Sequence, residues 1–550
     1  MAKKTLDANG VILNARIEAV RVYRELDGGG SNFTLTLTQD GQQYTLPPYS
    51  VDNIDRFRIG KIAPRFVALD EDGKATDTRV QAVLKEAISQ EIRQGRCGVL
   101  LNRTGWAKLP NGRHVYNTGT QVLGDTGGME VELSDTLPQL ELTDQCIEMD
   151  DKQLLQSYLR KLSREPDILI LLVAHMVRSL LASMFERLGF PLRYILYLVG
   201  VQGSGKTTAA NDFGLPFTDV TQNAPAPATR ALSSKSAVRD FAAEYRDMSA
   251  LLDDVCTSSS AETRRISTNI AAYTLRFAAD RIYEAISRPG GGQRKVRCTA
   301  GLVITGEFPM QKPSDLTRCV IVEVDHQMRG KEADDRMVSS ATATRFIKYL
   351  AEHFDSVSDE IRMALSNFRA DAVEEGGPRQ QQHMGELSCS FQLLLEYARS
   401  IGAIDDLEMA EWRLRLQNAL ERALAANMRL TAKFERENVS NIAKIIVDAM
   451  KSETILLAKS KEKFSKKPDK YAGFEGRKRT VYIRLSSLQE LLTSVSGKVW
   501  TDSAVGKLLR ENGLVEVGKD GHTAKSKFPK LGRFVPLNKG KLEKQAKIRK

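Results

Sequence analysis

Residues 200–207 combine glycines, a lysine and a threonine at a spacing that suits the binding of phosphate groups. They read Gly-Val-Gln-Gly-Ser-Gly-Lys-Thr and fit the pattern G-x-x-x-x-G-K-[ST], directly after the apolar run 194–199. In that context the loop leaves a buried strand and opens a helix whose first N–H groups face the phosphates. A glycine-rich turn before an ordinary helix is the alternative, and the motif in its context favours nucleotide binding. The residues predicted to contact the nucleotide are Gly200, Gly203, Ser204, Gly205, Lys206, Thr207 and Thr208.

Individual positions of this loop have separate predicted roles. Gly203 and Gly205 carry no Cβ atom, so the backbone can curl close to a nucleotide. Lys206 is expected to reach the β- and γ-phosphates, and the Thr207 hydroxyl is expected to hold Mg²⁺. The loop therefore predicts a site for a nucleotide with its Mg²⁺ ion.

Two adjacent carboxylates offer the metal ligand that such a site needs. The stretch 250–254 is an apolar run that ends in Asp253 and Asp254, and Asp253 comes 47 residues after Lys206. Asp253 is expected to belong to the Mg²⁺ ligand shell, and Asp254 is expected to polarise the attacking water. Paired acids are also common at a helix N-terminus, but the position behind a phosphate-binding loop favours a catalytic role.

A third apolar stretch, 301–307, ends in polar residues. Ring-forming ATPases carry at this position the polar residue that senses the γ-phosphate, and Thr305 or Glu307 is expected to do so here. Arg318 follows shortly afterwards, just before the next apolar strand. An arginine there can cross a subunit interface and offer its charge to a neighbour's γ-phosphate. A surface arginine at a strand start is the alternative, and we favour the catalytic arginine.

The elements that position these residues follow from periodicity and composition. Alternating apolar residues and glycine-containing turns predict a β-rich amino-terminal domain over residues 1–124. Residues 125–151 contain nine acidic residues and no Lys or Arg, which predicts a solvated acidic linker. A P-loop NTPase core over 152–330 then precedes a helical region over 331–450. The predicted fold class is therefore α/β.

Positive charge is concentrated at the carboxyl end. The chain has a net charge of +11, and residues 451–550 contain 25 Lys and Arg against 10 Asp and Glu, so the preceding residues are near neutral. A basic end on a near-neutral body indicates a nucleic-acid contact, with a solubilising lysine tail as the alternative. This end is divided into a basic linker over 451–479, a folded domain over 480–536 and a basic tail over 537–550.

The pattern over 480–536 predicts a winged helix. It gives a short strand, a helix, a second helix capped near Thr501 and ended at Gly513, and further strands. The polar face of the second helix would enter a DNA major groove, as a recognition helix does. A protein-binding winged helix is the alternative. The residues predicted to contact duplex DNA, on the second helix and on the wing, are Lys507, Arg510, Lys525 and Lys527.

Composition also indicates the cellular compartment in which the protein is expected. The six cysteines are scattered without a C-x-x-C pair, which favours a reducing compartment and argues against a zinc site. The sequence begins without an apolar signal core, and its longest apolar run, 168–174, is too short for a membrane span of about 20 residues. We therefore expect a soluble bacterial protein of the cytoplasm, associated with the nucleoid and not with a membrane.

Four motifs in a fixed order resemble those of the helicase-like ATPases carried by phages, plasmids and chromosome cassettes, which are related to superfamily 3 and to the MCM replicative helicases. These motifs are 200–207, 251–254, 303–307 and 316–318. In the amino-terminal region, 104–106 and 114–116 also resemble the domain that precedes the ATPase in the mobile-element group. The resemblance covers residues 95–330 well and the flanking regions loosely.

This resemblance implies an AAA+ fold, assembly into a homohexameric ring, ATP and Mg²⁺ as cofactors, and translocation on DNA. The ATP site would lie between subunits, with Lys206, Thr207 and Asp253 on one side and Arg318 from the neighbour on the other. Asp254 departs from the glutamate that is more common at its position in such ATPases.

A basic turn precedes the third strand, at the place where these ATPases insert a hairpin that projects into the ring channel. Residues 288–297 read Arg-Pro-Gly-Gly-Gly-Gln-Arg-Lys-Val-Arg. The turn would bring cations to the phosphates of a single strand and move them with the nucleotide state, and a merely basic loop is the alternative. The residues predicted to contact the single strand are Arg288, Arg294, Lys295 and Arg297.

Together these features predict an ATP-dependent DNA helicase or translocase that serves a mobile genetic element. The first alternative is a DNA-binding ATPase switch, in transposition or anti-phage defence, that hydrolyses ATP without separating strands. The second alternative is a small-molecule kinase, against which the basic carboxyl-terminal region argues.

Overall fold

The structure is a computed structural model that describes residues 5–6, 12–26, 29–69, 77–144, 148–230, 234–255, 261–281, 283–287, 293–310, 312–328, 330–371, 377–439, 442–476, 479–496, 500–515 and 533–547. The chain forms two compact units, Met1–Glu307 with Val322–Arg422 and Phe308–Ile321 with Ala423–Lys550. Each unit has its own hydrophobic core.

The amino-terminal region is built mainly from strands. Its strands are β1 (Thr5–Leu6), β2 (Ile12–Leu13), β3 (Arg16–Glu25), β4 (Ser31–Gln39), β5 (Gln42–Thr45), β6 (Tyr49–Ser50), β7 (Ala68–Leu69), β8 (Cys97–Leu101), β9 (Gly105–Lys108), β10 (His114–Asn117), β11 (Val122–Leu123), β12 (Val131–Leu133) and β13 (Leu140–Glu141). Its helices are a 3₁₀ turn (Val51–Arg56), α1 (Ile59–Ile62) and α2 (Asp77–Arg93). Six strands form one sheet in the order β12-β8-β3-β4-β5, with β6 paired to β4. Val80, Leu84 and Ile88 lie four residues apart on one face of α2 and are buried in the same core as β3 and β4.

The region that carries the phosphate-binding loop alternates helices with mostly parallel strands. Its helices are α3 (Asp151–Leu162), α4 (Pro166–Leu180), α5 (Ala182–Arg187), α6 (Lys206–Ala209), α7 (Lys235–Glu244), α8 (Ala261–Asp280) and α9 (Pro313–Leu316). Its strands are β14 (Ile195–Gly200), β15 (Phe217–Asp219), β16 (Ala224–Ala226), β17 (Ala228–Arg230), β18 (Ser249–Val255), β19 (Glu284–Ser287), β20 (Gln293–Val296), β21 (Gly301–Gly306) and β22 (Cys319–Val324). The main sheet has the order β17-β18-β21-β14-β22, and β22 joins the first unit from Val322 onward. The mixed α/β class predicted from the sequence is confirmed.

Burial explains why the central strands of this sheet are apolar along their whole length. The side chains of 195–199 on β14 are all buried, as are those of 301–306 on β21. Strands that are covered on both faces carry continuous apolar runs and no alternation, as expected for a parallel sheet flanked by helices. Helix α4 begins at Pro166, where a missing N–H is harmless.

Residues 125–151 differ from the predicted acidic linker, because they contain two paired strands. Val131 and Leu133 on β12 pair in parallel with β8, and β13 pairs antiparallel with β15. Leu137 and Leu140 are buried. Acidic residues alternate with apolar residues on these short strands, so a count of charge alone did not reveal them.

The region after the main sheet is helical. Its helices are α10 (Asp335–Glu352), α11 (Phe354–Asp371), α12 (Pro378–Ser400) and α13 (Asp406–Val439). Helix α12 packs beside α4, and Arg178 on α4 forms a fully buried ion pair with Glu386 on α12, with 2.8 Å between the nitrogen and oxygen atoms.

The second unit closes with a small four-stranded sheet. Its helices are α14 (Ile442–Lys451), α15 (Lys461–Lys466), a 3₁₀ turn (Pro468–Lys470), α16 (Leu485–Ser496), α17 (Asp502–Glu511) and α18 (Lys539–Lys547). Its strands are β23 (Leu457–Ala458), β24 (Gly473–Glu475), β25 (Thr480–Arg484) and β26 (Phe534–Asn538), in the order β23-β24-β25-β26. The predicted strand and two helices are present as β25, α16 and α17, and the winged helix as a whole stays a prediction. The predicted wing lies largely in 516–532, outside the described residues.

The predicted limits of this carboxyl-terminal domain are too narrow. Ile446 on α14 and Leu542 on α18 are buried in the same core as Leu488 and Leu509. The segment predicted as a basic linker, 451–479, supplies β23 and β24 to the sheet. Charge counting fails here because amphipathic elements carry exposed lysines around a few buried apolar residues.

Candidate functional site

The phosphate-binding loop follows β14 as predicted. Gly203 and Gly205 have φ angles of 76° and 94°, in the left-handed region that favours glycine. A Cβ atom on Gly200 would lie 2.2 Å from the carbonyl oxygen of Val324, so this position also excludes a side chain. Helix α6 begins directly after Gly205 and continues as a π-helical turn, Ala210–Gly214.

The ammonium group of Lys206 is held inside this loop. Its Nζ donates hydrogen bonds to the carbonyl oxygens of Gly200 and Val201, at 2.8 and 2.7 Å, and to the Ser204 hydroxyl at 3.2 Å. Burial lowers the pKa of Lys206, and the nearby acids, Glu307 first, oppose that shift. The lysine is therefore positioned and partly desolvated before any phosphate group arrives.

The two carboxylates lie on a β-bulge at the end of β18. Strands β18 and β21 pair Leu252 with Ile304 and Val255 with Gly306, so Asp253 and Asp254 together oppose a single residue of β21. Asp254 has a φ of 63°, which aspartate tolerates better than most residues. Adjacent residues of a regular strand point to opposite faces, and a bulge changes that direction. Next to this bulge, the carboxylates of both acids are close enough to Lys206 to favour its charged form, which opposes the lowering of its pKa.

Thr305 is the residue opposite the bulge, and its hydroxyl connects both acids. The hydroxyl donates a hydrogen bond to Asp253 Oδ1 and accepts one from the backbone N–H of Asp254 at 3.3 Å. Thr207 also donates to Asp253 Oδ1, at 2.9 Å. The Thr305 side chain is 2% exposed. The structure thus gives Thr305 a positioning contact that the sequence did not reveal.

The surroundings of Asp254 suit a group that polarises water. Burial raises the pKa of Asp254, the Asp253 charge raises it further, and Arg230 and Lys206 act in the opposite direction. Arg230 ends β17 and pairs in register with Asp253. The sequence analysis missed Arg230, because a three-residue strand gives almost no periodic signal.

Thr207 and Asp253 fit a Mg²⁺ ion. Magnesium prefers oxygen ligands and binds through one or two protein groups, with water and phosphate oxygens filling its other positions. The Thr207 hydroxyl and the Asp253 carboxylate are adjacent and partly exposed, so both oxygens can face an ion and a nucleotide. The Thr208 side chain is also partly exposed on α6, and Glu307 is half-buried just after β21.

Arg318 lies in the second compact unit. Its guanidinium donates to the carbonyl oxygen of Ser314 at 2.7 Å, across the turn that ends α9. The fully buried Asn427 fixes this turn through hydrogen bonds to the carbonyl oxygens of Leu316 and Cys319, at 3.1 and 2.8 Å. The predicted contact of Arg318 with a neighbouring subunit stays a prediction.

The strands on either side of the basic turn before β21 pair as a hairpin, and the turn itself, 288–292, lies outside the described residues. Strands β19 and β20 pair from Glu284 with Val296 to Ser287 with Gln293. Lys295 is exposed on β20, and Arg297 at the base pairs with Glu186 at 2.5 Å. Arg294 belongs to β20, and Arg288 lies outside the described residues.

Helix α17 has the two faces expected of a recognition helix. Val505 and Leu509 are buried, whereas Lys507 and Arg510 are exposed. Lys525 and Lys527, predicted on the wing, lie outside the described residues. The helix therefore presents two cations on its polar face, and DNA contact there stays a prediction.

Comparison with known proteins identifies the fold. No family model matches the sequence, and the search of curated proteins gives no match. Among solved structures, the active helicase Cch of SCCmec type IV aligns over 99% of this chain and 99% of its own, with 14% identity and a TM-score of 0.56. The chain has the fold of this helicase. The resemblance inferred from the four motifs is thereby confirmed at the level of fold.

Two further solved structures align less well. JCV helicase with a bound acetamide compound gives 13% identity over 52% of this chain and 74% of that chain, with a TM-score of 0.21. The apo form of the NrS-1 carboxyl-terminal region gives 10% identity over 94% and 96%, with a TM-score of 0.25. Geometric agreement this low carries no argument. Among the described helices, none has both the length and the apolar character that crossing a membrane requires.

Proposed function

We propose that the protein is an ATP-dependent DNA helicase or translocase of a mobile genetic element, which hydrolyses Mg-ATP at the interfaces of a homohexameric ring. The observation that supports this most is the meeting of the phosphate-binding loop with two carboxylates that Thr207 and Thr305 hold in place. Strand β21 lies between the loop strand and the acid strand, as expected of an AAA+ core. The fold relative Cch is described as an active helicase, which is consistent with the same activity here.

Nucleotide binding requires Lys206 to exchange partners. Its ammonium group leaves the carbonyl oxygens of Gly200 and Val201 and pairs with the β- and γ-phosphates, because a charge-assisted contact is stronger than a neutral one. The Thr207 hydroxyl and the Asp253 carboxylate hold Mg²⁺, which neutralises phosphate charge when it is bound. Partial desolvation of the lysine strengthens its contact with the incoming phosphates.

Hydrolysis depends on Asp254 in this proposal. The carboxylate orients and polarises the attacking water, and its raised pKa makes it a better base towards water than an ordinary aspartate. Thr305 fixes the bulge, so the distance between the metal ligand Asp253 and the base Asp254 stays constant during the reaction. Glu307 follows β21 directly, and its carboxylate favours the charged form of Lys206.

Arg318 of one subunit completes the site of its neighbour in the proposed ring. The turn that carries it is anchored by Asn427 within its own unit, so the guanidinium is presented from a fixed support. A cation offered from a neighbouring subunit stabilises the charge that develops on the transferred phosphoryl group. ATP hydrolysis would thereby depend on assembly.

DNA binding is proposed at two places. The hairpin β19–β20, with Lys295 and Arg294, contacts a single strand in the ring channel, and the polar face of α17, with Lys507 and Arg510, contacts duplex DNA. The protein would act in the bacterial cytoplasm on the DNA of the element or the nucleoid.

A strand-displacement assay tests this function against the ATPase switch. A duplex with a single-stranded tail, labelled on the displaced strand, is incubated with the wild-type protein, ATP and Mg²⁺. We expect strand release that requires ATP and is absent for Lys206→Ala, which removes a phosphate contact but little core packing. ATP hydrolysis without strand release from tails of either polarity would favour the switch.

A further inference from the structure

A cavity of about 450 Å³ lies at the base of the hairpin β19–β20. It adjoins the amino ends of β18 and β21, whereas the nucleotide site lies at their carboxyl ends. Its walls come from the amino-terminal region, from α5, from the turn before β18 and from the hairpin itself. We name it the hairpin-base cavity, and the charged and aromatic residues that matter for its chemistry are Arg103, Arg246, Arg281, Tyr283, Lys295 and Arg297.

The acids at this cavity are already engaged. Asp247 is fully buried, and its two carboxylate oxygens accept the backbone N–H groups of Ser183 and Trp106, at 2.6 and 3.2 Å. Glu186 pairs with Arg297. The lining holds five Lys and Arg side chains against three acids, Glu186, Glu244 and Asp247, so cations dominate it. Asp247 thereby links Trp106 of the amino-terminal region to Ser183 on α5.

Arg281 is the most constrained of these cations. Its φ is 52°, a left-handed conformation that is uncommon for arginine and is found where surrounding structure enforces it. One guanidinium nitrogen donates to the carbonyl oxygen of Cys298. Its Nε is buried and has no hydrogen-bond partner among the described residues. A buried donor without a partner costs free energy, so this guanidinium has hydrogen-bonding capacity that the described residues do not use.

Tyr283 adds an aromatic surface beside these cations. Its side chain is 56% exposed, and the Arg297 guanidinium lies 5.3 Å from the centre of its ring. An exposed ring next to several cations is the combination that binds single-stranded nucleic acid, because bases stack on the ring while phosphates meet the cations. A cation-lined cavity without an aromatic ring would fit a phosphate alone.

We propose that the hairpin-base cavity binds one phosphate and the adjoining base of a single nucleic-acid strand, with Arg281 and Lys295 at the phosphate and Tyr283 under the base. The proposal rests on the DNA-binding function proposed above and extends the proposed hairpin contact, which already includes Lys295, to Arg281 and Tyr283 at the base of the hairpin.

Fluorescence anisotropy with the full-length protein and labelled single-stranded oligo(dT) tests this site. Tyr283→Ala is expected to weaken binding about five- to hundredfold, the range for loss of one stacked base. Tyr283→Phe keeps the ring and is expected to bind like the wild type. Lys295→Gln is expected to lower the slope of log affinity against log salt by about 0.7, the value for one phosphate contact on a single strand. Thermal unfolding midpoints for all variants confirm that the fold is kept.

The outcomes separate this inference from the proposed function. If the wild type does not bind the oligonucleotide, the proposed DNA function fails. If the wild type binds and Tyr283→Ala binds equally well with an unchanged unfolding midpoint, only the assignment of the cavity is overturned. Displacement of the oligonucleotide by inorganic phosphate or ATP, lost in Tyr283→Ala, would assign the cavity to a free nucleotide or phosphate and overturn the strand assignment.

Discussion

The hydroxyl of Thr305 is the smallest group whose removal tests the arrangement of the two carboxylates. Thr305→Val keeps the branched shape and the strand preference of the side chain but removes the oxygen. The variant loses the hydrogen bond to Asp253 and the one from the Asp254 N–H, whereas Lys206 and Thr207 keep their places. Thr305→Ser is the matched control, because it keeps the hydroxyl and loses only a methyl group.

The expected magnitude follows from these contacts. A hydrogen bond to a charged group contributes about 1.5–3 kcal/mol, and the Thr305 side chain is 2% exposed, so water cannot replace its hydroxyl without repacking. If the whole of this free energy positions Asp253 and Asp254 in the transition state, kcat falls roughly ten- to hundredfold, at about 1.4 kcal/mol per factor of ten. We expect ATP affinity to change less, because the phosphate contacts of Lys206 and the loop remain.

Steady-state phosphate release measures kcat, and a fluorescent ATP analogue measures nucleotide affinity separately. Thr305→Ser is expected to keep most of the wild-type rate. Thr305→Val at the wild-type rate, with an unchanged unfolding midpoint, would refute the positioning role of the hydroxyl. A loss in Thr305→Ser as large as that in Thr305→Val would also contradict a specific role of the hydroxyl, because Thr305→Ser keeps it.

Three further predictions concern other groups. Asp254→Asn is expected to bind ATP but to lose most of its hydrolysis activity. Because the pKa of Asp254 is raised, the hydrolysis rate of the wild type should decline at a higher pH than it would with an ordinary aspartate. A variant with the same pH–rate profile as the wild type contradicts this role. Rings mixed from Arg318→Ala and Lys206→Ala subunits are expected to recover part of the ATPase activity that each variant lacks alone, and no recovery in verified mixed rings argues for a local role of the arginine. Burial lowers the pKa of His175 and of His383 to about 3, so below about pH 6.5 these histidines bind protons in the unfolded chain but not in the folded chain. Between pH 6.5 and 5 the free energy of unfolding, measured with urea, should therefore fall by up to about 1.4 kcal/mol per pH unit for each histidine. A urea midpoint that stays constant over this range contradicts the prediction.

The sequence by itself predicted those candidate groups that lie within one short segment. The phosphate-binding loop, its preceding strand and the pair Asp253 and Asp254 are local patterns, because backbone geometry over eight residues is enough to define them. Helix α17 was also predictable, since its buried and exposed positions follow a helical period. The α/β class follows from the alternation of such segments.

The tertiary structure alone decided how distant segments meet. Strand order brings Thr305 opposite the bulge and Arg230 beside Asp253, and no period in the sequence encodes which strands become neighbours. The core of the second unit likewise joins α14 to α18, across lysine-rich segments that composition assigned to a linker and a tail. The hairpin-base cavity needs Arg103 and Lys295 in one place, and only the packing of the amino-terminal region on the ATPase core puts them there. Local propensity acts over a few residues, whereas these contacts come from burying faces contributed by remote parts of the chain.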